Sequence, residues 1–572
     1  MQSLTGNAIQ ILEDRYLLRD DKGRIVETPL QLFKRVAKSI SNVEKKDKGT
    51  WENRFYNLLS HLYFLPNSPT LMNAGCTKGQ LSACFVLPIE DNLESIFTTL
   101  KNAALIHQSG GGTGYNFSKL RPKNDLVSSS QGTSSGPVDF MKIYDAATKY
   151  VKQGGKRRGA NMGILNIEHP DIENFITSKS NKDALENFNI SIGITDTFLN
   201  AVKKDLDWKL INPRTNKVEK ILKAKTLWQL IVKEAWNTGD PGLIFLDTIN
   251  KTNPTPKLGH ITSTNPCGEV PLLDYESCNL GSINLSKMIL LESKQVQIDW
   301  NKLSESIHLA IRFLDNVITN NHYLLPEIEH ITKGNRKIGL GVMGWAELLI
   351  MLEIPYASNK AVKLGESLMK FIQEESYNAS LILAEEKGAF SQWESSIHYP
   401  NKKLRNATCN SIAPTGTISV IANTSYSIEP LFALAYMRVG ILNNQTQTEI
   451  NEVCINKLKQ LGFWSADVKN TILKKGSIKE VESIPIKIKS IFETSLEIPW
   501  EYHLLHQKAF QKYTDNAVSK TINLPENATK DDVSKIFLKA WEYKLKGITI
   551  YRYGSKPHQV LQKCGINNTS YC

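Results

Sequence analysis

Three side chains with chemical potential alternate in the segment STNPCGEVP, residues 263 to 271: those of Asn265, Cys267 and Glu269. In extended backbone, alternate side chains point to the same face, because strand periodicity is two. A carboxylate near a thiol raises the thiol pKa and suppresses the thiolate. This disfavours nucleophilic catalysis by Cys267 and favours hydrogen-atom chemistry. The alternative is a loop with one buried cysteine and two solvated polar groups.

A second segment, SIAPTGTISVIAN at residues 411 to 423, places glycine and hydroxyl residues before an apolar run. Backbone N–H groups at such a turn, with the hydroxyls of Thr415 and Thr417, can bind phosphate. The segment lacks the lysine of a Walker loop, and a simple turn with a helix cap is the alternative. Ser68 and Thr70, in NSPTLMNAG, supply further hydroxyls.

A third segment, KYVKQGGKRRGANMG at residues 149 to 163, places two glycines between basic residues. It predicts a loop that can bind polyanions, or else an ordinary surface loop. The chain as a whole carries a net charge of +12 over 572 residues, without an arginine-rich tail. This sparse excess is typical of a lysine-rich surface, so we expect no nucleic-acid partner.

The eight cysteines are too sparse for a secreted disulfide scaffold. The sequence contains no C-x-x-C pair, so the usual spacing of a structural zinc site is missing. A hydrophobic content of 41% excludes a disordered chain. The longest apolar stretch, residues 340 to 357, is interrupted by Glu347 and Glu353, which argues against a membrane span. The first twenty residues lack the apolar run of a signal peptide. We therefore expect a soluble, cytoplasmic protein with no membrane partner.

The elements that must position these residues are predicted to be helices alternating with short strands, the pattern of an α/β protein. Residues 1 to 65 form a helical N-terminal region, residues 66 to 556 one large domain, and residues 557 to 572 a flexible tail. Apolar periodicity predicts long helices at 300 to 325 and 360 to 387. Glycine clusters predict that QSGGGTGYNF (108 to 117) and QGTSSGP (131 to 137) are loops. We further expect a short strand at 242 to 249 and a peripheral lysine-rich insertion at 465 to 490.

A series of motifs, in order, resembles the catalytic subunit of ribonucleotide reductases, of the adenosylcobalamin-dependent class II type. The resemblance runs from about residue 25 to 556. The motifs are NSPTLMNAG, LSACFVLPI, QSGGGTGYNFSKLRP, KRRGANMGIL, NFNISIGITD, GDPGLIFLD, NPCGE with ESCNLGSINL, GNRKIGLGVMG, RNAT with SIAPTGTIS, IEPLFALAY and GITIYRYGS.

The resemblance implies a ten-stranded α/β barrel of two antiparallel-related halves, with a finger loop through its centre. Cys267 matches the fingertip cysteine that becomes a thiyl radical and removes the 3′ hydrogen of the substrate. Glu269 matches the base for the 3′-hydroxyl proton, and Asn265 matches the residue that hydrogen-bonds the ribose hydroxyls. Cys84 and Cys278 match the pair that supplies reducing equivalents and ends as a disulfide.

The resemblance also implies binding residues. Residues Lys152, Gln153 and Arg157 resemble part of the loop that senses a deoxynucleoside triphosphate effector near a dimer interface. Cys564 and Cys572 resemble the tail dithiol that re-reduces the active site, although the family places this pair closer together. The expected substrate contacts are Ser68, Thr70, Ala83, Gly112, Ala413, Pro414, Thr415, Gly416 and Thr417.

Together, these expectations predict an enzyme that reduces ribonucleotides, preferably diphosphates, and uses adenosylcobalamin as its cofactor. The expected partners are a thioredoxin-like or glutaredoxin-like reductant and a second copy in a homodimer. The alternative is the large subunit of a class I reductase, which receives its radical from a separate subunit through adjacent tyrosines. The sequence contains no Tyr-Tyr pair, and its nearest feature is Tyr551-Arg552-Tyr553. A non-enzymatic nucleotide- or RNA-binding module is disfavoured, because a binder has no use for the cysteines, Asn265 and Glu269 together.

Overall fold

The computed structural model describes residues 4–127, 131–153, 157–181, 184–292, 295–441 and 445–555. Within these ranges, ten strands form one sheet at the centre of the chain. They are β1 (Phe64–Pro66), β2 (Cys84–Val86), β3 (Gly112–Asn116), β4 (Asn161–Asn166), β5 (Phe188–Ile194), β6 (Gly242–Phe245), β7 (Ser277–Asn284), β8 (Ile338–Met343), β9 (Thr521–Leu524) and β10 (Gly547–Arg552).

The sheet consists of two parallel halves joined by antiparallel seams. Strands β2 to β6 run parallel in chain order. In the other half, β10 pairs in parallel with β9, and β8 pairs in parallel with β7. The segment around Asn410 and Ile412 bridges Leu340 of β8 to Val518, just before β9, and so closes the ring. The seams are the antiparallel pairings of β6 with β10 and of β2 with β7, and β1 also pairs antiparallel with β7. The expected ten-stranded barrel is confirmed.

Helices cover the outside of this barrel, as parallel strands that are buried on both faces require. Those after the N-terminal region are α4 (Ser68–Asn73), α5 (Leu93–Gln108), α6 (Pro137–Tyr150), α7 (Ile172–Ile176), α8 (Asp196–Lys203), α9 (Ala224–Thr238), α10 (Leu246–Lys251), α11 (Trp300–Asn320), α12 (Pro326–Asn335), α13 (Trp345–Met351), α14 (Asn359–Lys387), α15 (Ile418–Ile421), α16 (Glu452–Gln460), α17 (Ala466–Lys475), α18 (Ile486–Lys489), α19 (Trp500–Gln511) and α20 (Lys530–Glu542). The two long helices predicted from apolar periodicity are confirmed as α11 and α14.

The N-terminal region is helical as predicted, with α1 (Gly6–Arg15), α2 (Pro29–Ser41) and α3 (Lys48–Ser60). Thr28 begins α2 with a capping box, since its side chain and that of Gln31 each accept a backbone N–H of the other residue. The helices share one hydrophobic core with barrel strands β7 and β8. This region therefore packs on the barrel wall without a separate core.

The prediction that QSGGGTGYNF is wholly a loop is wrong, because Gly112–Asn116 forms β3. The glycines of β3 allow another segment of backbone to approach closely, and they do not form a turn. A Cβ at Gly114 would lie 1.7 Å from the carbonyl oxygen of Thr264, and one at Gly112 would lie 2.9 Å from Cγ of Pro266. Both contacted residues belong to the segment that crosses the barrel, so β3 needs glycine to let that segment pass.

Two further sequence predictions concern one barrel strand and one peripheral segment. The expected strand at 242 to 249 is β6, but it ends at Phe245, where helix α10 begins. The lysine-rich insertion carries α17 and α18, and its Val468 and Ile472 pack in a small hydrophobic cluster with Cys454 of α16. Among the described residues, no helix is both long and apolar enough to cross a lipid bilayer.

Candidate active site

The segment that crosses the barrel is a short hairpin, which we call the finger loop, residues 263 to 272. Its strands Ser263–Thr264 and Pro271–Leu272 pair antiparallel. Asn265 fixes the turn between them, because its Oδ1 accepts the Val270 N–H at 3.0 Å and its carbonyl accepts the Gly268 N–H at 3.0 Å. Gly268 has a φ of 79°, a conformation that favours glycine.

The fingertip is a turn, so the extended backbone assumed from the alternate spacing is wrong at Cys267. Even so, the side chains of Asn265, Cys267 and Glu269 line one cavity of about 360 Å³. The Cys267 residue is exposed, whereas the two flanking polar residues are buried. The turn therefore presents the thiol and keeps the carboxylate and amide beside it.

Glu269 is a buried carboxyl group anchored through its backbone. Its carbonyl accepts the Ala517 N–H and the Ser411 hydroxyl, both at 2.8 Å, which fixes the returning arm of the finger loop to the barrel wall. Burial raises the pKa of Glu269 to about 7, partly offset by a hydrogen bond from the Asn265 side chain. Its Oε2 has no hydrogen-bond partner within the described ranges. A group of this kind can take up a proton near neutral pH.

Cys84 and Cys278 face each other across the seam between β2 and β7, as direct partners in the antiparallel register. Such partners have Cα atoms about 4.5–5.5 Å apart, within the range that a disulfide requires. Both cysteines are buried and free. Burial raises the pKa of each thiol, and the nearby Glu269 carboxyl raises them further. The pair is therefore held as protonated thiols that can form a disulfide with little movement.

The cavity brings together most of the residues predicted to contact substrate. It is lined by Ser68, Ala83, Cys84, Gly112, Ala413, Pro414, Thr415, Gly416 and Thr417, besides the fingertip residues. Cys278 does not line it and lies buried in the wall. Thr70 does not line it either, contrary to expectation, because its buried hydroxyl is directed to the Leu81 carbonyl at 2.9 Å and to Asn67 Oδ1 at 3.0 Å.

Hydroxyl groups cluster where the cavity meets α15. The Thr415 hydroxyl oxygen accepts the Ser427 N–H at 2.8 Å, so its proton is available to an acceptor in the cavity. Ser68 Oγ lies 2.7 Å from the hydroxyl of Tyr16. Tyr16 and Arg15 also line the cavity, and sequence reasoning missed both. Their nearest signal was their place at the end of an N-terminal helix, which by itself predicts nothing about a site.

A second cavity, of about 380 Å³, is lined by Pro266, Cys267 and Gly268 of the fingertip. Lys520 is buried in its wall, where its Nζ donates to Glu429 Oε2 at 2.5 Å. Gln507 and Tyr551 line it too, and within the described part of the chain Gln507 Oε1 and the Tyr551 hydroxyl have no hydrogen-bond partner. Cys267 thus lines both cavities.

The remaining predicted residues lie elsewhere. The backbone of Lys152–Gln153 pairs antiparallel with that of Arg157–Arg158, so the predicted effector residues lie on a two-stranded ribbon. Cys564 and Cys572 lie outside the described residues. Among those described, no cluster of three or more His, Cys, Asp or Glu side chains could hold a metal ion.

Two family models match almost the whole chain. The model described as the ribonucleotide reductase barrel domain matches residues 82–403 and 399–551, and the one described as the ribonucleotide reductase all-alpha domain matches residues 2–79. The chain belongs to the ribonucleotide reductase family. The family resemblance expected from the ordered motifs is confirmed.

Individual ribonucleotide reductases are similar over nearly the full chain. A vitamin B12-dependent ribonucleoside-diphosphate reductase of Thermoplasma acidophilum is 48% identical, covering 98% of this chain and 80% of that protein. One of Mycobacterium tuberculosis is also 48% identical, covering 97% of this chain and 80% of the relative. A ribonucleoside-diphosphate reductase subunit alpha of Chlamydia muridarum is 31% identical, covering 98% of this chain and 59% of that protein.

The fold is similar to that of a solved ribonucleotide reductase. The alpha subunit of the class Id enzyme of Actinobacillus ureae superposes with a TM-score of 0.79 over 96% of this chain and 97% of that one. Its sequence is 24% identical, so this likeness concerns the fold alone.

Proposed function

We propose that this protein reduces ribonucleotides, with ribonucleoside diphosphates as substrates, to 2′-deoxyribonucleotides by a thiyl-radical mechanism that depends on adenosylcobalamin. The observation that carries the proposal is the position of Cys267 between two cavities. One cavity holds a base, an amide and a reducing cysteine, and the other holds polar atoms without protein partners. The relatives that are 48% identical are named for vitamin B12 dependence and for diphosphate substrates, which supports both choices.

In the substrate cavity, the thiyl radical of Cys267 takes the 3′ hydrogen atom of the ribose. Glu269 accepts the proton of the 3′-hydroxyl group, a role that suits a carboxyl group whose pKa is about 7. Asn265 hydrogen-bonds the ribose hydroxyls while its Oδ1 also fixes the fingertip turn. The same residue therefore orients the substrate and the radical-bearing cysteine.

Reduction at C2′ requires two electrons and two protons, which the thiols of Cys84 and Cys278 supply. The 2′-hydroxyl leaves as water, the two thiols become one disulfide, and the 3′ hydrogen returns from Cys267. The raised pKa values of both thiols keep their protons available for transfer. The direct register of the two cysteines lets the disulfide form within the seam.

The second cavity fits the nucleoside end of the cofactor. The Gln507 Oε1 acceptor and the Tyr551 hydroxyl line it, and both can hydrogen-bond the ribose hydroxyls or the heterocyclic base of a nucleoside. Adenosylcobalamin, when bound, supplies the initiating radical. The chain presents Cys267 at the wall of this second cavity, and the fingertip turn separates the cofactor there from the substrate.

Regulation and re-reduction extend the proposal. Lys152, Gln153 and Arg157 sense a deoxynucleoside triphosphate effector, and the protein works as a homodimer that places this ribbon near its two-fold interface. Cys564 and Cys572 pass electrons from a thioredoxin-like or glutaredoxin-like reductant to the disulfide of Cys84 and Cys278 by thiol exchange.

The test is anaerobic turnover of a ribonucleoside diphosphate by the purified chain with a dithiol, with and without adenosylcobalamin. Product that forms only with the cofactor is the expected result, and the Cys267→Ala variant should then be inactive. Product that requires a metal-loaded second subunit would instead assign the class I alternative. No product under either condition would contradict the proposed function.

A further inference from the structure

Arg15 is the one cationic side chain that lines the substrate cavity in the described part of the chain, and Glu269 is the one anionic side chain. The Arg15 side chain is exposed. Within the described ranges its guanidinium group forms no hydrogen bond or ion pair with the protein. An arginine without a protein partner in a cavity wall is available to a ligand.

The end of α1 is held firmly over the cavity. Tyr16, the next residue, is 3% exposed, and its hydroxyl lies 2.7 Å from Ser68 Oγ. One turn earlier, Leu12 is fully buried in the same core as Ile418 and Ile421 of α15. Because both neighbours are fixed, the Arg15 backbone is fixed at the side of the cavity where the hydroxyls of Ser68 and Thr415 gather.

These hydroxyls can hydrogen-bond phosphate oxygens but bring no net charge. A nucleoside diphosphate carries several negative charges at neutral pH, and guanidinium groups bind phosphate oxygens in a bidentate manner. Arg15 is therefore the group that matches the charge of the ligand. Glu269, the opposite charge in the cavity, lies with the fingertip residues and would repel phosphates from that side.

We propose that Arg15 binds the phosphates of the substrate, so that the N-terminal helix α1 is part of the substrate site. The inference rests on the proposed function for the identity of the substrate, and it adds a residue outside the barrel to the phosphate contacts. Tyr16 acts as a positioning residue that holds Ser68 and the end of α1 together.

The test compares equilibrium binding of CDP and of cytidine to the full chain, without the cofactor. Loss of a charged hydrogen-bond partner predicts that Arg15→Ala weakens CDP binding roughly 10- to 100-fold and leaves cytidine binding unchanged. Arg15→Lys, which keeps the charge but not the fork geometry, should lie between the two. In turnover, Arg15→Ala should raise KM for CDP with little change in kcat.

Arg19→Ala is the matched control, because the Arg19 guanidinium donates to the Glu13 and Gly23 carbonyls and does not line the cavity. It should bind CDP as the unaltered chain does. Unchanged CDP binding in Arg15→Ala, an equal loss for CDP and cytidine, or equal effects of the lysine and alanine variants would each overturn the proposal. Because binding is measured without turnover, an Arg15-dependent CDP affinity in an inactive protein would refute the proposed reaction and keep the phosphate site.

Discussion

Cys84 and Cys278 are direct cross-strand partners at one of the two antiparallel seams of the barrel, although they are far apart in the chain. The register of the sheet therefore brings the two thiols together, and no loop has to close to bring them into contact. Since Cys84 at this seam lines the same cavity as Cys267, one region of the barrel positions both the proposed reducing pair and the proposed radical-bearing cysteine.

The roles of the three cysteines can be separated by isotope exchange. We expect Cys84→Ser and Cys278→Ser to abolish formation of deoxynucleotide, because each removes half of the dithiol. Both should still exchange tritium from the 3′ position of the substrate into water, since Cys267 and Glu269 remain. Cys267→Ala should lose both activities. Cys76→Ala, a partly exposed cysteine outside the cavity, is the control and should behave as the unaltered chain does. Full reductase activity in Cys278→Ser would contradict this assignment.

The raised pKa of Glu269 predicts opposite effects of pH on catalysis and on stability. Its base form grows as pH rises through about 7, so kcat/KM should rise over that range. The folded state binds the proton more tightly than the unfolded state, so the stabilising contribution is complete below the ordinary pKa of 4.5. As pH rises from 4.5 towards 7 this contribution is lost, and the free energy of unfolding falls by about 3 kcal/mol.

Denaturant unfolding at several pH values measures this contribution. Glu269→Gln should be inactive and should lose the corresponding slope of unfolding free energy between pH 4.5 and 7. An unaltered slope in that variant would assign the pH dependence to other groups.

The glycines of β3 predict a sharp steric effect. In Gly114→Ala the new methyl group would overlap the Thr264 carbonyl, so the finger loop must shift or β3 must distort. We expect a loss of about 1–3 kcal/mol in unfolding free energy and a severe loss of turnover, because Cys267 moves with the loop. Gly49→Ala on α3 has nothing within 4 Å of the added Cβ and is the control. Normal turnover in Gly114→Ala would show that the finger loop tolerates the displacement.

The proposed cofactor cavity predicts a binding defect without a folding defect. Tyr551→Phe removes a buried hydroxyl that has no protein partner within the described ranges, so thermal stability should not fall. The affinity of this variant for adenosylcobalamin, measured by equilibrium dialysis, should fall by roughly tenfold, because one hydrogen bond to the cofactor is lost. Gln507→Leu should weaken binding as well, and it also removes the donation from Nε2 to the Gly547 carbonyl. Unchanged affinity in both variants would place the cofactor elsewhere.

Chemistry-bearing residues could be predicted from sequence where they lie close together in the chain. The spacing of Asn265, Cys267 and Glu269 correctly predicted one shared surface, even though the backbone there is a turn. Local spacing cannot report a steric demand made by a distant segment, and for this reason the glycine cluster predicts a loop where the chain forms β3. Thr70 shows the reverse limit, because a hydroxyl close to a site in sequence can be fully committed to the fold.

Arg15 and Tyr16 could not be predicted, because their place in the site depends on how the N-terminal helices pack on the barrel. That packing is decided by apolar contacts such as those of Leu12, which look the same in any amphipathic helix. The ordered motifs predict the barrel through the family resemblance, and the same resemblance implies its two halves.

The seam between β2 and β7 joins the two halves of the barrel, and the disulfide of Cys84 and Cys278 would lie across it. In the proposed mechanism, each turnover therefore ends with a covalent cross-link between the halves, which closes a loop of about 195 residues. In the chain-entropy model such a cross-link stabilises the folded state by about 5 kcal/mol. The oxidised enzyme is then the form with the higher melting temperature, and each re-reduction returns the protein to the less stable form. Calorimetry of the oxidised and reduced chains would measure this alternation directly.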